Sequence, residues 1–306
     1  MSFKLKEIIS NPALLFISLG HRECLNWISD ETYLKIIYRI KRGERLNLEN
    51  PQTFTEKLNW LKLYNRNPEY TKLVDKYEVK KVVADIIGEE HIVPTLGVWN
   101  KFDDIDFDKL PSQFVLKCTH DSGGLIICKD KSKLNIEKAR KKINKCLNHS
   151  FYWGMREWQY KDVKPRIIAE SYLDDKNARI PGDLNDYKFY CFNGEPKYCE
   201  VISGRYSDKR IDFFDLNWNH EEFNFDGYEF AEKRPQKPKP FEEMVEIARK
   251  LCKDKPYSRI DLYVVEDKIF FGEITFFPAA GLKGFIPAEW NYKLGSYITL
   301  SKFIKK

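Results

Sequence analysis

Two carboxylates interrupt an apolar hairpin near the end of the chain. In RIDLYVVEDKIFFGEITF (259–276), Asp261 and Glu273 stand where buried strands would carry another Val or Ile. A three-residue loop, Glu266-Asp267-Lys268, pairs Val265 with Ile269 and sets Asp261 opposite Glu273, about 5 Å away on one face. A two-residue loop would send them to opposite faces, so the reading requires the longer one. Like charges placed this way repel, and if buried they need a shared proton or a cation between them. Such oxygen donors suit Mg²⁺, which also keeps substrate phosphates in its shell. Thr275 faces the same side as Glu273 and can join or support the metal. Arg259 shares the face of Asp261. It either binds a phosphate or simply neutralises Asp261 in a surface pair.

FVLKCTHDSGGLIICKD (114–130) supplies the cationic half. Lys117 interrupts an apolar strand, where a lysine is costly without an anionic partner. Ser122, Gly123 and Gly124 follow in a strand–turn–strand, and small residues let backbone N–H groups come close to a phosphate. As a bare pattern SGG is an ordinary turn; beside Lys117 it points to a phosphate loop. Lys76, in LVDKYEVKK, is a further cation, although a single lysine on a helix is more often solvated. IIAESYLDD (167–175) reads as a strand ending at Glu170. Ser171, Tyr172 and Leu173 then offer backbone groups to an adenine edge, and Glu170 an acceptor for its exocyclic amine.

These residues have to be positioned by an α+β scaffold. Residues 1–90 read as helices: SDETYLKIIYRIKRG (29–43), TFTEKLNWLKLYNRN (53–67) and EYTKLVDKYEVKKVVADIIG (69–88), each with apolar residues at helical spacing. From residue 91 the period shortens to that of strands, with one helix at 135–150, a hairpin at 186–203 turning at NGEP, and an amphipathic helix at 241–254. The division expected is a helical region over 1–90, a first lobe over 91–165 and a second lobe over 166–306 that carries the carboxylate hairpin.

Composition narrows the function. With 42% hydrophobic and 15% aromatic residues in 306, the chain is globular and long enough for two lobes. Seven cysteines, an odd number without a CxxC, fit reduced and mostly buried thiols of a cytoplasmic protein rather than a disulfide framework or zinc site. ALLFISLG (13–20) is too short to span a bilayer, and no signal peptide is expected. The net charge of +6 comes from interleaved residues and suits an anionic ligand without choosing one.

Taken together, NPQTFTEKLNWLKLYNRNPEYTKLVDKYEVKKVVADIIGEEHIVPTLGVW (50–99), LPSQFVLKCTHDSGG (110–124), KPRIIAESYLDD (164–175), LNDYKFYCFNGEPKY (184–198) and the closing hairpin resemble the TupA-like ATP-grasp family of bacterial polysaccharide and teichuronopeptide biosynthesis. The resemblance implies an ATP-grasp fold, in which two α+β lobes with antiparallel sheets grip ATP, and ligation of a carboxylate to an amine through an acyl phosphate. It makes Lys76 and Lys117 the phosphate-binding lysines and Ser122, Gly123 and Gly124 the phosphate loop. Glu170, Ser171 and Leu173 fall on the adenine hinge, and Asp261 and Glu273 on the Mg²⁺ acids. Arg259 joins Lys117 in catalysis, and Lys188 becomes a further triphosphate contact. Thr275 stands where the superfamily commonly has Asn, and Ser171 where a hinge Lys is common. The partners implied are a small or glycan-linked carboxylate and an amine.

Other classes explain less. SFYWGMREWQYKDVKPR (150–166) could stack Tyr152, Trp153, Trp158 and Tyr160 on sugars, with Arg156, Arg205 or Arg210 holding an acidic group; the alternative is packing between lobes and a solvated loop. A glycosyltransferase of capsule or O-antigen assembly would lack a nucleotide-sugar motif here. Nucleic-acid binding leaves Asp261 and Glu273 without a purpose, so no nucleic acid is expected. Peripheral membrane association through SFKLKEIISNPALLFISL (2–19) is weakened by Pro12.

Overall fold

The computed structural model describes residues 12–174, 184–204 and 208–303. Helices come first: α1 (Pro12–His21), α2 (Asp30–Arg42), α3 (Phe54–Tyr64), α4 (Glu69–Val74) and α5 (Glu78–Ile87). Their ends follow the sequence signals. Ser29 caps α2, and Gly43 ends it in the left-handed conformation. Thr53 and Glu56 form a reciprocal capping box on α3. The segment expected as one helix over 69–88 is two, because Asp75 leaves helical geometry. Its carboxylate accepts from the N–H groups of Tyr77 at 2.9 Å and Glu78 at 3.3 Å, which starts α5, and it pairs with Arg166 at 2.7 Å. Lys76 sits in that break.

A four-stranded antiparallel sheet in the order β1-β4-β2-β3 is built from β1 (Thr95–Trp99), β2 (Phe114–Cys118), β3 (Leu125–Cys128) and β4 (Ile167–Ser171). Helices α6 (Ile136–Leu147) and α7 (Phe151–Met155) lie between β3 and β4 in the chain. Since β4 pairs with both β1 and β2, the first sheet extends past residue 165, where the first lobe was expected to end.

The second sheet contains β5 (Asp186–Phe192), β6 (Glu195–Ser203), β7 (Arg210–Asp215), β8 (His220–Glu221), β10 (Tyr257–Val265) and β11 (Lys268–Thr275), in the order β11-β10-β5-β6-β7-β8. A two-stranded ribbon of β9 (Asn224–Phe225) and β12 (Phe285–Ile286) lies beside it in the chain. Helix α8 (Phe241–Cys252) packs on β5, β6 and β10 through Phe241, Met244, Val245, Ile247, Ala248 and Leu251. Burying each of the larger of these side chains stabilises the fold by roughly 1.5–3 kcal/mol. Strand β5 is buried along its whole length, which makes any charge on it dependent on a partner. Helix α9 (Glu289–Ser296) packs against α3.

The carboxylate hairpin reaches the expected pairing by another route. Its turn has two residues: Glu266 and Asp267 adopt φ of 50° and 64°, and Val265 pairs with Lys268. The register continues to Leu262 opposite Phe271. It then shifts by one at a bulge, and Asp261 comes opposite Glu273. Gly272 is the extra residue. A Cβ there would lie 2.9 Å from the Tyr263 ring and 3.0 Å from the carbonyl oxygen of Asp261, so only glycine fits without a shift.

Candidate functional site

A cavity of about 580 Å³ is lined by residues of both large sheets and of α5. Ten of the residues singled out from the sequence face it: Lys76, Lys117, Ser122, Gly124, Glu170, Ser171, Tyr172, Leu173, Lys188 and Glu273. Gly123, Arg259, Asp261 and Thr275 lie beside or beneath it rather than on its wall.

The first sheet supplies most of the cations. Lys117 on β2 pairs with Glu170 on the neighbouring strand β4, Nζ to Oε2, at 2.5 Å. Lys80, in the first turn of α5, pairs with the other oxygen, Oε1, also at 2.5 Å. Lys80 also donates to the carbonyl of Val93 at 2.7 Å and to Oγ1 of Thr95 at 2.9 Å. Lys117 therefore has an anionic partner within the protein, and both Glu170 oxygens expected to receive an adenine amine are held by lysines. Burial alone would push the Glu170 carboxyl up; Lys117 and Lys80 outweigh it and hold it below its ordinary range. The same burial, reinforced by Lys117, lowers Lys80 although Glu170 opposes it. The two ends differ because Glu170 meets two cations, whereas Lys80 has one anion and a second lysine nearby.

The glycine turn is closed on itself. Asp121 is buried, and its Oδ1 accepts from the N–H of Gly123 and, at 3.0 Å, from that of Gly124. The amides expected to receive a phosphate hold this carboxylate instead. Lys76 donates to the backbone oxygen of Asp121 at 2.6 Å, tying the helix break to the turn. Gly124 packs against Cys118 and Cys146, with its Cβ position 2.5 Å from Cys118 Sγ and 3.1 Å from Cys146 Cβ.

The second sheet carries the acids. Asp261 is 1% exposed, and Arg259 grips it with two hydrogen bonds, Nε to Oδ1 and Nη2 to Oδ2, both 2.7 Å. Lys188, directly across on β5, also pairs with Oδ2 of Asp261. Arg259 thus neutralises Asp261, but in a buried pair and not the surface pair expected, and Asp261 does not depend on a metal for neutralisation. Thr275 accepts from Arg259 at 3.2 Å and donates to Glu273 at 3.4 Å. Glu273 lies deep in the fold yet opens onto the cavity, its side chain 43% exposed. Burial would raise its carboxyl, but Lys76, Lys188, Arg259 and Lys117 outweigh that and hold it at about 2.

The donor set fits a divalent cation held together with phosphates. Glu273 offers an ionised carboxylate to the cavity, and Asp261 lies behind it with both oxygens held by Arg259 and Lys188. Among the described residues no group of three or more His, Cys, Asp or Glu forms a cage, so phosphate or water oxygens would complete the shell.

Sequence reasoning missed Lys80 and Asp121. Lys80 stands four residues after Lys76, one helical turn on, which is a signal for a shared face. Asp121 precedes the SGG turn, a position from which an Asp side chain commonly caps following amides. The aromatic run at 150–166 is packing. Tyr152 and Trp158 are buried, and Arg156 is 1% exposed with its guanidinium 4.4 Å from the Tyr33 ring and 4.6 Å from the Trp153 ring. Arg210 pairs with Asp208 at 2.8 Å and with Glu229; Arg205 lies outside the described residues. So does most of the 2–19 segment, and no helix among the described residues is long and apolar enough to cross a membrane.

The sequence matches the TupA-like ATP-grasp family over residues 56–299, and the chain belongs to that family. No curated protein matches it. Among solved structures it is similar to a D-alanine–D-alanine ligase from Bacillus anthracis complexed with ATP, at 18% identity over 67% of this chain and 53% of that one, with a TM-score of 0.39. A D-alanine–D-alanine ligase from Helicobacter pylori is 14% identical over 80% of this chain and 69% of its own, with a TM-score of 0.40. The ATP-grasp ligase PsnB, complexed with a minimal precursor, Mg and ADP, is 12% identical over 85% and 65%, with a TM-score of 0.37. The chain thus spans about half of the Bacillus ligase.

Proposed function

We propose that the chain is an ATP-dependent ligase that joins a carboxylate to an amine through an acyl phosphate, acting in bacterial surface-polysaccharide biosynthesis on a uronic acid or glycan carboxylate and an amino acid or other amine. The observation that carries the proposal is the cavity between two antiparallel sheets, with Lys76, Lys117 and Ser122 on one side and Lys188 and Glu273 on the other. The glycan part rests on the family resemblance.

In this reading Leu173 and the apolar wall formed by Val79, Val93 and Phe271 receive the base. Lys76, Lys117 and Lys188 neutralise the triphosphate. Glu273 and Asp261 would hold Mg²⁺, which supplies further neutralisation of the charge on the transferring phosphoryl group. The substrate carboxylate attacks the γ-phosphorus, and ADP leaves. The amine then adds to the acyl carbon, gives up a proton, and expels phosphate. The protein's part is chiefly positioning and charge stabilisation. Arg259 acts beneath the wall: it fixes Asp261 and Thr275 and thereby the row that includes Glu273.

The test is an ATP-dependent phosphate-release screen over pairs of uronic acids and amino acids, with mass detection of the amide. Calorimetric titration with Mg²⁺ and ATP accompanies it. Absence of ATP binding overturns the proposal at its base; ATP binding with phosphate release but no amide overturns the ligase step.

A further inference from the structure

Glu170 is a buried carboxylate shared by two lysines of unequal freedom. Lys80 has a side-chain exposure of 12% and directs three hydrogen bonds at fixed acceptors: Glu170, the Val93 carbonyl and Thr95. Both lysines line the cavity, and Lys117, 28% exposed and with no other acceptor among the described residues, is the freer of the two. A phosphate arriving in the cavity competes with Glu170 for Lys117. If Glu170 had Lys117 alone, taking that lysine away would strand a buried charge, which is strongly unfavourable. With Lys80 in place, Glu170 stays neutralised when Lys117 leaves.

We propose that Lys80 is a positioning residue of the nucleotide site: it holds Glu170 permanently neutralised and so frees Lys117 to exchange Glu170 for an incoming phosphate. This rests on the reading of the cavity as an ATP site. The exchange needs no covalent step. It predicts that Lys80 governs phosphate affinity without touching a phosphate, and that its effect disappears when Glu170 carries no charge.

The test measures dissociation constants of ATP and of adenosine by displacement of a fluorescent ATP analogue from wild type, K80M, E170Q, the K80M/E170Q double variant and K80R. K80M should weaken ATP by about tenfold or more, because Lys117 is now retained by Glu170, and should change adenosine by less than about twofold. E170Q should keep the ratio of ATP to adenosine affinity at the wild-type value or above, whatever it changes at the adenine end. The double variant should recover to the E170Q value, a coupling that independent effects cannot produce. K80R should stay close to wild type. Equal loss of ATP and adenosine in K80M, or additive loss in the double variant, overturns the proposal and makes Lys80 a structural brace. If K80M does not fold, the E170Q and K80R arms decide: weaker ATP binding by E170Q with adenosine unchanged, or a K80R protein that folds but loses ATP, overturns it. Wild type that fails to bind ATP overturns the functional reading instead, so the two failures are distinct.

Discussion

Replacing Glu273 by Gln keeps the size of the side chain and removes its charge. In the free protein Lys76, Lys188, Arg259 and Lys117 overcome the cost of its depth and hold its carboxyl at about 2, against an ordinary value of 4.5. A folded value below the unfolded one means that the carboxylate stabilises the fold above about pH 4.5, and that this contribution is lost as pH falls toward 2. The repulsion from Asp261 expected from sequence is absent, because Arg259 and Lys188 already neutralise Asp261. Glu273→Gln should therefore lower stability, not raise it. Its side chain is 43% exposed and water screens the pairs, so the loss at neutral pH is about 0.2–1 kcal/mol. Turnover should fall far more. One lost electrostatic stabiliser costs roughly 2.7–4 kcal/mol of barrier, or about 10²–10³ in rate. Urea unfolding from neutral pH down to pH 3 and ATP turnover on the same preparation separate the two effects. The stability gap should narrow at the acid end. A variant as active as wild type would refute the assignment of Glu273 to the site, and one more stable than wild type would refute the charge balance.

Lys117→Ala should weaken ATP binding by about tenfold or more while melting close to wild type, since Lys80 stays on Glu170; a variant that melts far lower yet binds ATP normally makes Lys117 structural. Arg259→Met removes the two-point grip on buried Asp261 but leaves it paired with Lys188, so unfolding in urea should show a loss of roughly 1.5–3 kcal/mol, below that of a fully unpaired buried charge, and an unchanged midpoint would contradict the pairing. Gly124→Ala places a Cβ 2.5 Å from Cys118 Sγ and should cost roughly 1–3 kcal/mol by thermal melting, with ATP affinity falling as the turn shifts; wild-type stability would show that the turn has room.

The elements most legible in the sequence were those whose ends carry local chemistry. Ser29 and Gly43 bound α2, the Thr53–Glu56 box starts α3, and Asn193-Gly194 turns β5 into β6 with positive φ at both residues. The carboxylate hairpin was legible only in its result. Its turn uses Glu266 and Asp267 at positive φ, where Asn or Gly would have announced a two-residue turn, and Gly272 announces the bulge only once the register is known. The side chains that face the cavity were largely readable as charges out of place in apolar strands. Their partners were not. Lys117 with Glu170, and Asp261 with Lys188, are cross-strand contacts fixed by the order of strands in a sheet, which strand periodicity does not encode.

Those partners change how the cavity should be understood. Among the described residues its wall carries five lysines, Lys76, Lys80, Lys117, Lys129 and Lys188, and four carboxylates, Asp121, Glu170, Asp186 and Glu273. The near balance means that the free site is not a positive hole waiting for phosphate. Lys76 donates to the Asp121 backbone, Lys80 and Lys117 to Glu170, and Lys188 to Asp261; even the turn amides hold the Asp121 carboxylate. A triphosphate that enters must exchange these contacts for its own, so its affinity is the difference between two sets of charge-assisted hydrogen bonds and not the sum of one. One net positive charge among the described wall residues cannot balance a triphosphate, and on the proposed reading a divalent cation on the acids would supply part of the rest. On the proposed reading Glu273 and Asp261 cost the polyphosphate some attraction, and in return they would hold a divalent cation whose charge the lysines, already paired, cannot replace.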